Sequence, residues 1–233
     1  MTSKSRTLVV GDIHGAHGQL QALLRQDALF KERVPVFVGD YVDVGIQSRE
    51  TVQALIELKV SNRSAVFLKG NHDLGFMRYM RSGQLGAYAC MGGISTIRSY
   101  CGVIHGDVHR ATLRSVPASH REFFESLDDY FETTEYLISH AGYSPAAPDD
   151  RSTAAMVLGT HQDLFRGDLP LKKLCVSGHY SQRTQRPLIR RGYLCVDTGC
   201  GLAAGPLTAV CLPELLVTQV WPSLFVETFQ LAF

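Results

Sequence analysis

Short apolar runs alternate with helical periodicities through the first third of the chain. Residues 7–10 (TLVV), 34–38 (VPVFV) and 65–68 (AVFL) are continuous apolar runs of strand length. Between them, Leu20, Leu23 and Leu24 mark one face of a helix over 18–30, and Val52, Leu55 and Ile56 mark a second helix after Ser48. Ser48 is the predicted N-cap of that second helix, because a hydroxyl there can accept an otherwise unpaired backbone N–H. A further helix is predicted over 74–81. Strand, loop and helix repeated three times predict an α/β fold with a largely parallel first sheet.

The pattern then changes. Over 82–135, Gly86, Gly92, Gly93 and Gly102 interrupt the chain, and Phe123, Phe124, Leu127 and Tyr130 recur at helical spacing within 121–131. This predicts a helical insert or cap at about 82–135 beside the sheet. Apolar runs return at 136–139, 174–176, 193–196, 207–212 and 215–220. Their closer spacing predicts hairpins, hence a second and more antiparallel sheet. The stretch 144–153 reads as a loop, and the apolar tail after Trp221 as packing on the body or on a partner. Residues 1–233 are read as a single domain carrying the insert.

Composition adds exclusions. The chain has 233 residues, of which 45% are hydrophobic, enough for a sizeable core. The net charge is +1, with both signs interspersed, which argues against a nucleic-acid or membrane-surface protein. No apolar run reaches the length of a membrane span, and the first residues lack the apolar segment of a secretory signal. The six cysteines form no CxxC pair. They read as reduced residues of a cytoplasmic protein.

Chemistry enters with five blocks, each just after an apolar run: GDIHG (11–15), GDYVDVG (39–45), GNHD (70–73), SHAG (139–142) and SGHY (177–180). In open α/β sheets the carboxyl ends of strands are where ligands bind. Two divalent cations roughly 3.5–4 Å apart need a bridging carboxylate and further neutral or anionic donors. Asp12, His14, Asp40, Asn71, His140 and His179 are the candidate donors, with Asp40 placed to bridge. Mixed nitrogen and oxygen donors suit Mn, Fe or Zn. Such a pair lowers the pKa of a water and holds a phosphoryl oxygen for in-line attack. His72 is the candidate general acid for the leaving group, and Asp43 the carboxylate that orients it.

These residues strongly resemble the phosphoprotein phosphatase family of calcineurin-like metallophosphoesterases, whose pattern is GDxHG, GDxVDRG, GNHE, HAG and GH. The similarity runs from about Arg6 to Pro213, and MGGISTIRSY (91–100), CVDTGCG (195–201) and LTAVCLP (207–213) resemble the compact bacterial and phage members. The resemblance implies a central β-sandwich of two mixed sheets flanked by helices, and a dinuclear centre. It implies Asp12 and His14 on one metal, Asp40 bridging, and Asn71, His140 and His179 on the second, with Mn²⁺ the expected ion and Fe or Zn the alternatives. His72 is the implied acid and Asp43 its partner.

Departures from the family pattern concentrate on the phosphate clamp. The arginine of GDxVDRG is Val44 here, and Asp73 replaces the usual Glu. Lys69 stands where many relatives have Arg. His161 aligns with a second phosphate-binding Arg, and Arg166 follows it by about a turn. Tyr180 stands where relatives often have Thr. Lys69, His161, Arg166 and Tyr180 are therefore the candidate substrate contacts. HGDVH (105–109) has ligand-like spacing but lies outside the family pattern. Arg78 and Arg81 read as a solvated face, and Arg183, Arg186, Arg190 and Arg191 as surface charge or an anion contact. The expected activity is hydrolysis of phosphate monoesters, phosphoserine and phosphothreonine included. The alternatives are symmetrical hydrolysis of dinucleoside tetraphosphates and a weakly active relative that binds a phosphorylated ligand or a protein.

Overall fold

The computed structural model describes residues 6–166, 169–202 and 204–232. Two sheets lie at the centre. The first has the order β11-β10-β9-β1-β2-β3, with β1 at Thr7–Val10, β2 at Val34–Phe37, β3 at Val66–Phe67, β9 at Leu207–Leu212, β10 at Leu216–Val220 and β11 at Val226–Gln230. The second has the order β4-β5-β6-β8-β7, with β4 at Tyr130–Glu132, β5 at Tyr136–Ser139, β6 at Leu174–Ser177, β7 at Leu188–Arg190 and β8 at Tyr193–Cys195. Both are mixed. β1, β2 and β3 run parallel, and β9 joins β1 antiparallel with Thr7 opposite Leu212. In the second sheet β5, β6 and β8 run parallel between two antiparallel edges.

Alternation along the strands sorts the core into layers. Leu8 and Val10 of β1 face one way and pack with Phe37, Leu20, Leu23 and Leu55 under the helices. Val9, Val36 and Val38 face the other way and meet Ile138, Val176 and Leu194 of the second sheet. The outer face of the second sheet carries Leu137, Cys175 and Tyr193 against Met156 and Leu164. This is a β-sandwich flanked by helices. β1 is buried on both sides, which explains why it reads as a continuous apolar run.

Three local expectations need correction. The late hairpin strands β9, β10 and β11 extend the first sheet, while the second sheet has a parallel centre; apolar spacing carries no information on which sheet a strand joins. Tyr130 and Phe131 belong to edge strand β4 and not to a helix that ends at Glu125. Ser48 is the first residue of its helix, Ser48–Ser61, and its hydroxyl is buried 3.1 Å from Thr96 Oγ1, while Gln47 takes the cap position.

The segment predicted as an insert is helical. It contains Leu85–Cys90, Gly93–Cys101, Val108–Ser115 and Ala118–Glu125. Its aromatic residues stack onto the helix Asn71–Ser82 that begins at GNHD, with Phe76 5.8 Å from Tyr100 and 5.2 Å from Phe124 between ring centroids. The tail after Trp221 turns back as β11 and pairs with β10. Among the described residues no helix is long and apolar enough to cross a membrane. The six cysteines are free thiols.

Candidate metal centre

Each of the five blocks follows a strand: β1, β2, β3, β5 and β6 in turn. The strands stop and the chain turns sharply at the same place. His14, Asp40, Asp43, Val44 and His179 all have positive φ, from 46° to 71°. Asp12 and His14 therefore reach the same cleft through a tight turn, not through strand alternation. Gly39 takes a φ of 107°, and a side chain at Gly70 would strike the Asp40 carboxylate, so the second and third blocks touch backbone to backbone.

The six predicted donors converge. Asp40 Oδ2 lies 3.6 Å from His14 Nε2 and 3.4 Å from His140 Nε2. Asp40 is common to two sets of close potential donors, one with His14 and His72 and the other with Asp12 and His140. Asn71 Oδ1 is 2.8 Å from both His140 Nε2 and His179 Nδ1. Asp12 Oδ2 accepts the His179 backbone N–H at 3.0 Å, while Asp12 Oδ1 is buried with no hydrogen-bond partner.

Backbone carbonyls fix the tautomers. His14 Nδ1 faces the Val42 carbonyl at 3.1 Å, and His140 Nδ1 faces the Val38 carbonyl at 3.0 Å. A carbonyl only accepts, so each Nδ1 carries the proton and each Nε2 presents a lone pair inward. Burial, helped by His72, holds His14 down at about 3, and burial, helped by His179, holds His140 well below its usual value. His179 falls to about 4, chiefly by burial. Burial raises Asp12, with Asp197 and Asp40 adding to it, and burial also raises Asp40 against the pull of His72. Neutral imidazoles, crowded carboxylates, an amide oxygen and an unpartnered buried carboxylate oxygen fit divalent cations well.

His72 is different. Its Nδ1 donates to Asp43 Oδ2 at 2.9 Å. Burial disfavours the charged ring, but the Asp43 hydrogen bond and the nearby Asp40 carboxylate outweigh it and lift His72 to about 9. Nε2 points to the donors, 4.0 Å from Asp40 Oδ2. Asp43 is itself fully buried and held from the other side. Its Oδ1 accepts from the Tyr88 hydroxyl at 2.5 Å and from Thr96 Oγ1 at 2.7 Å.

Tyr88 and Thr96 escaped sequence reasoning because they sit in the helices Leu85–Cys90 and Gly93–Cys101, far along the chain from Asp43. Asp73 and Asp197 were also missed as working residues. Asp73 accepts from the backbone N–H groups of Asp40, Tyr41 and Gly70 at 2.8, 3.0 and 2.9 Å, tying the second block to the third. Burial lifts it to about 7 against those three donors. Asp197 follows β8 and lines the cleft, where burial lifts it to about 6. A carboxylate just after an apolar run was its signal, the same one that marks Asp12 and Asp40.

The cleft over the centre has a volume of about 320 Å³. Asp12, His14, Asp40, Asn71, His72 and His179 form its floor, with Val44, Cys90, Met91, Ser181, Asp197 and Leu202 around them. No arginine or lysine is among these lining residues. Val44 is a β-branched residue at a φ of 62°, a conformation that costs on the order of 1–3 kcal/mol.

The four candidate substrate contacts are not brought to this cleft. Lys69 pairs with Asp129 at 2.7 Å. His161 Nε2 donates to the Ala155 carbonyl at 2.8 Å. Arg166 is exposed beside Asp163. Tyr180 donates to the Ala141 carbonyl at 3.1 Å, and its ring lies edge-on to His179, so it braces that imidazole. HGDVH serves helix structure, with Asp107 capping Val108–Ser115 and His109 bonded to the Met80 carbonyl. Arg78 and Arg81 are exposed. Arg186 pairs with Glu227 at 2.7 Å and stacks over Phe229.

The sequence matches the calcineurin-like phosphoesterase family, Metallophos, over residues 5–181. The chain belongs to that family. It is by family a phosphoesterase hydrolase, and the shared Asp40 and its neighbours supply the donors that a dinuclear metal centre needs. Solved structures with a similar fold include a putative diadenosine tetraphosphatase, at 22% identity over 94% of this chain and 95% of that one, with a TM-score of 0.63. A cold-active protein-tyrosine phosphatase of a psychrophilic Shewanella is similar at 16% identity, over 98% and 81%, with a TM-score of 0.61. A protein serine/threonine phosphatase from Saccharomyces cerevisiae, with similarity to human phosphatase PP5, is similar at 18% identity over 100% and 82%, with a TM-score of 0.56.

Proposed function

We propose that this chain is a phosphomonoesterase that works with two divalent ions, Mn²⁺ first among them, with phosphoserine and phosphothreonine among its substrates. Bound metals supply Lewis acidity for the phosphoryl oxygens and an activated water. Asp40 spans the two donor sets. His14 and His140 are held in the donor tautomer by the Val42 and Val38 carbonyls. Asn71 and His179 complete the second set. The observation that carries the reading is the Asp43–His72 pair beside those donors. Asp43 fixes the ring and keeps it protonated, so that Nε2 can deliver a proton to the departing alkoxide.

The test is His72→Asn. We expect full metal content and a kcat about 10²–10⁴-fold lower, with the largest loss for substrates whose leaving groups are poor acids. Loss of metal in that variant would make His72 a donor and remove it from the acid role. The second reading, hydrolysis of dinucleoside tetraphosphates, is favoured by the Asp73 of GNHD and weakened by a cleft lined without arginine or lysine. Turnover of diadenosine tetraphosphate without turnover of phosphomonoesters would reverse the two. The third, a weakly active relative that binds a phosphorylated ligand or a protein, would be favoured by no turnover of any substrate in metal-replete enzyme.

A further inference from the structure

The cleft lining has two chemically distinct parts. Its floor is polar and made of the candidate metal donors. Its lining also carries apolar side chains, and two of them, Val44 and Met91, belong to the segments that orient His72. Val44 directly follows Asp43. Tyr88, whose hydroxyl bonds Asp43, lies in the helix Leu85–Cys90 that delivers Cys90 and then Met91 to the cleft. Leu202, 43% exposed, stands on the loop after Asp197 and adds a second apolar surface to the lining.

The backbone around Val44 is held in place deliberately. Ser95 Oγ donates to the Val44 carbonyl at 3.0 Å. Gly92, itself at a φ of 89°, packs so closely that a side chain there would press on Val44 Cγ2 at 3.3 Å. A β-branched residue fixed in a left-handed conformation at the mouth of a cleft marks a position where side-chain chemistry has a use. A leaving oxygen that takes its proton from His72 Nε2 departs next to His72, whose partner Asp43 directly precedes Val44. Besides the donors, the lining offers aliphatic carbon and thioether from Val44, Met91 and Leu202, with Cys90, Ser181 and Asp197 among them and no arginine or lysine to receive further phosphates.

We propose that Val44, Met91 and Leu202 form the leaving-group seat of this cleft, and that they select phosphate monoesters whose alcohol carries an apolar, ring-sized body over polyanionic substrates. The proposal rests on the phosphomonoesterase reading for its chemistry. Its binding prediction does not depend on turnover. A ring laid against these side chains leaves water for apolar contact, and even partial burial of one phenyl face is worth roughly a tenfold preference.

The experiment compares ethyl phosphate with 2-phenylethyl phosphate, which have leaving oxygens of similar acidity, together with diadenosine tetraphosphate. Binding of ethyl- and 2-phenylethylphosphonate to the Mn²⁺-loaded protein is measured in parallel by calorimetry. We expect kcat/KM to rise about tenfold from ethyl to phenylethyl, mainly through KM, and the phosphonate affinities to follow the same ratio. Leu202→Asn, at an exposed position, and Met91→Gln should each bring that ratio towards one. Val44→Arg should lower it as well and raise the relative rate on diadenosine tetraphosphate. Monoester turnover that ignores the size of the apolar group, or a ratio untouched by all three substitutions, overturns the seat and leaves the phosphomonoesterase reading standing. No turnover of any monoester, with the phosphonate preference intact and sensitive to Leu202→Asn, keeps the seat and overturns that reading.

Discussion

Asp43 is the residue on which the arrangement turns. One carboxylate oxygen takes the Tyr88 and Thr96 hydroxyls, so the other is committed to His72. Thr96 Oγ1 also accepts the Asp43 backbone N–H at 2.8 Å, which fixes a left-handed residue from both ends. Removing one hydrogen bond to a charged group costs about 1.5–3 kcal/mol, and here part of that cost appears as misorientation of His72. Tyr88→Phe should therefore lower kcat by about tenfold on substrates with poor leaving groups, by less on p-nitrophenyl phosphate, with KM and metal content little changed. Thr96→Ser should retain activity where Thr96→Ala does not. Steady-state kinetics across a leaving-group series, with metal analysis, checks both. An equal loss across the series would make the tyrosine a packing residue only. The convergence of the candidate donors was legible in the sequence because each lies within a few residues of a strand end, where neighbouring letters share one location. Tyr88 and Thr96 were not, because their role depends on how the helices Leu85–Cys90 and Gly93–Cys101 pack on the second block. Lys69, His161 and Arg166 were legible as cations or hydrogen-bonding groups; the partner of Lys69, Asp129, comes only from tertiary structure, while Ala155 and Asp163 lie within six residues of His161 and Arg166.

At the scale of elements, edge strand β4 shows what apolar periodicity misses. Its Tyr130 and Phe131 continue the helical spacing of the residues before them, yet they pair with Ser139 and Ile138 of β5. The third residue of the strand, Glu132, anchors the loop 144–153 and the approach to β6. It accepts from Arg151 Nε and Nη2, each at 3.0 Å, and from Lys173 at 3.0 Å. The Arg151 hydrogen bonds, with Lys173 behind them, outweigh the modest burial and lower Glu132 to about 2. A carboxylate whose folded pKa is depressed adds stability above its unfolded pKa and loses it as pH falls through the folded value. This element's contribution should thus be complete above about pH 5 and disappear towards pH 2. Glu132→Gln should lower the melting temperature at pH 7 by a few degrees at most, since such partly exposed pairs are worth about 1 kcal/mol. It should also flatten the acid side of the stability profile. A variant with the same acid limb as the parent would show that the triad adds nothing. The late strands teach the same lesson about pairing: 207–212 and 215–220 were visible as strands, but their place on the first sheet is set by β1, whose open edge their register fits.

For the whole molecule, the centre lies on the seam of the sandwich. Asp12, His14 and Asp40 come from the ends of the first sheet, and His140 and His179 from the second. Buried carboxylates that lack a counter-ion weaken the folded state, so metals should clasp the two layers together. At Mn²⁺ a hundredfold above its dissociation constant, one bound ion adds about 2.7 kcal/mol, or roughly 5–10 °C in melting temperature for a chain of this size. EDTA should reverse the shift, and Asp40→Asn should abolish most of it; an unchanged melting curve in both would mean that no ion binds at this seam. The pairing of Thr7 with Leu212 has its own consequence for how the protein is made. During synthesis β1 emerges about 200 residues before its antiparallel partner β9, at about 5–20 residues per second. For that interval an apolar strand waits with one side unfilled. A growing chain is therefore most in need of chaperone shelter at β1, and a ribosome stalled before residue 207 should leave a product that is captured or degraded, never a partly active enzyme.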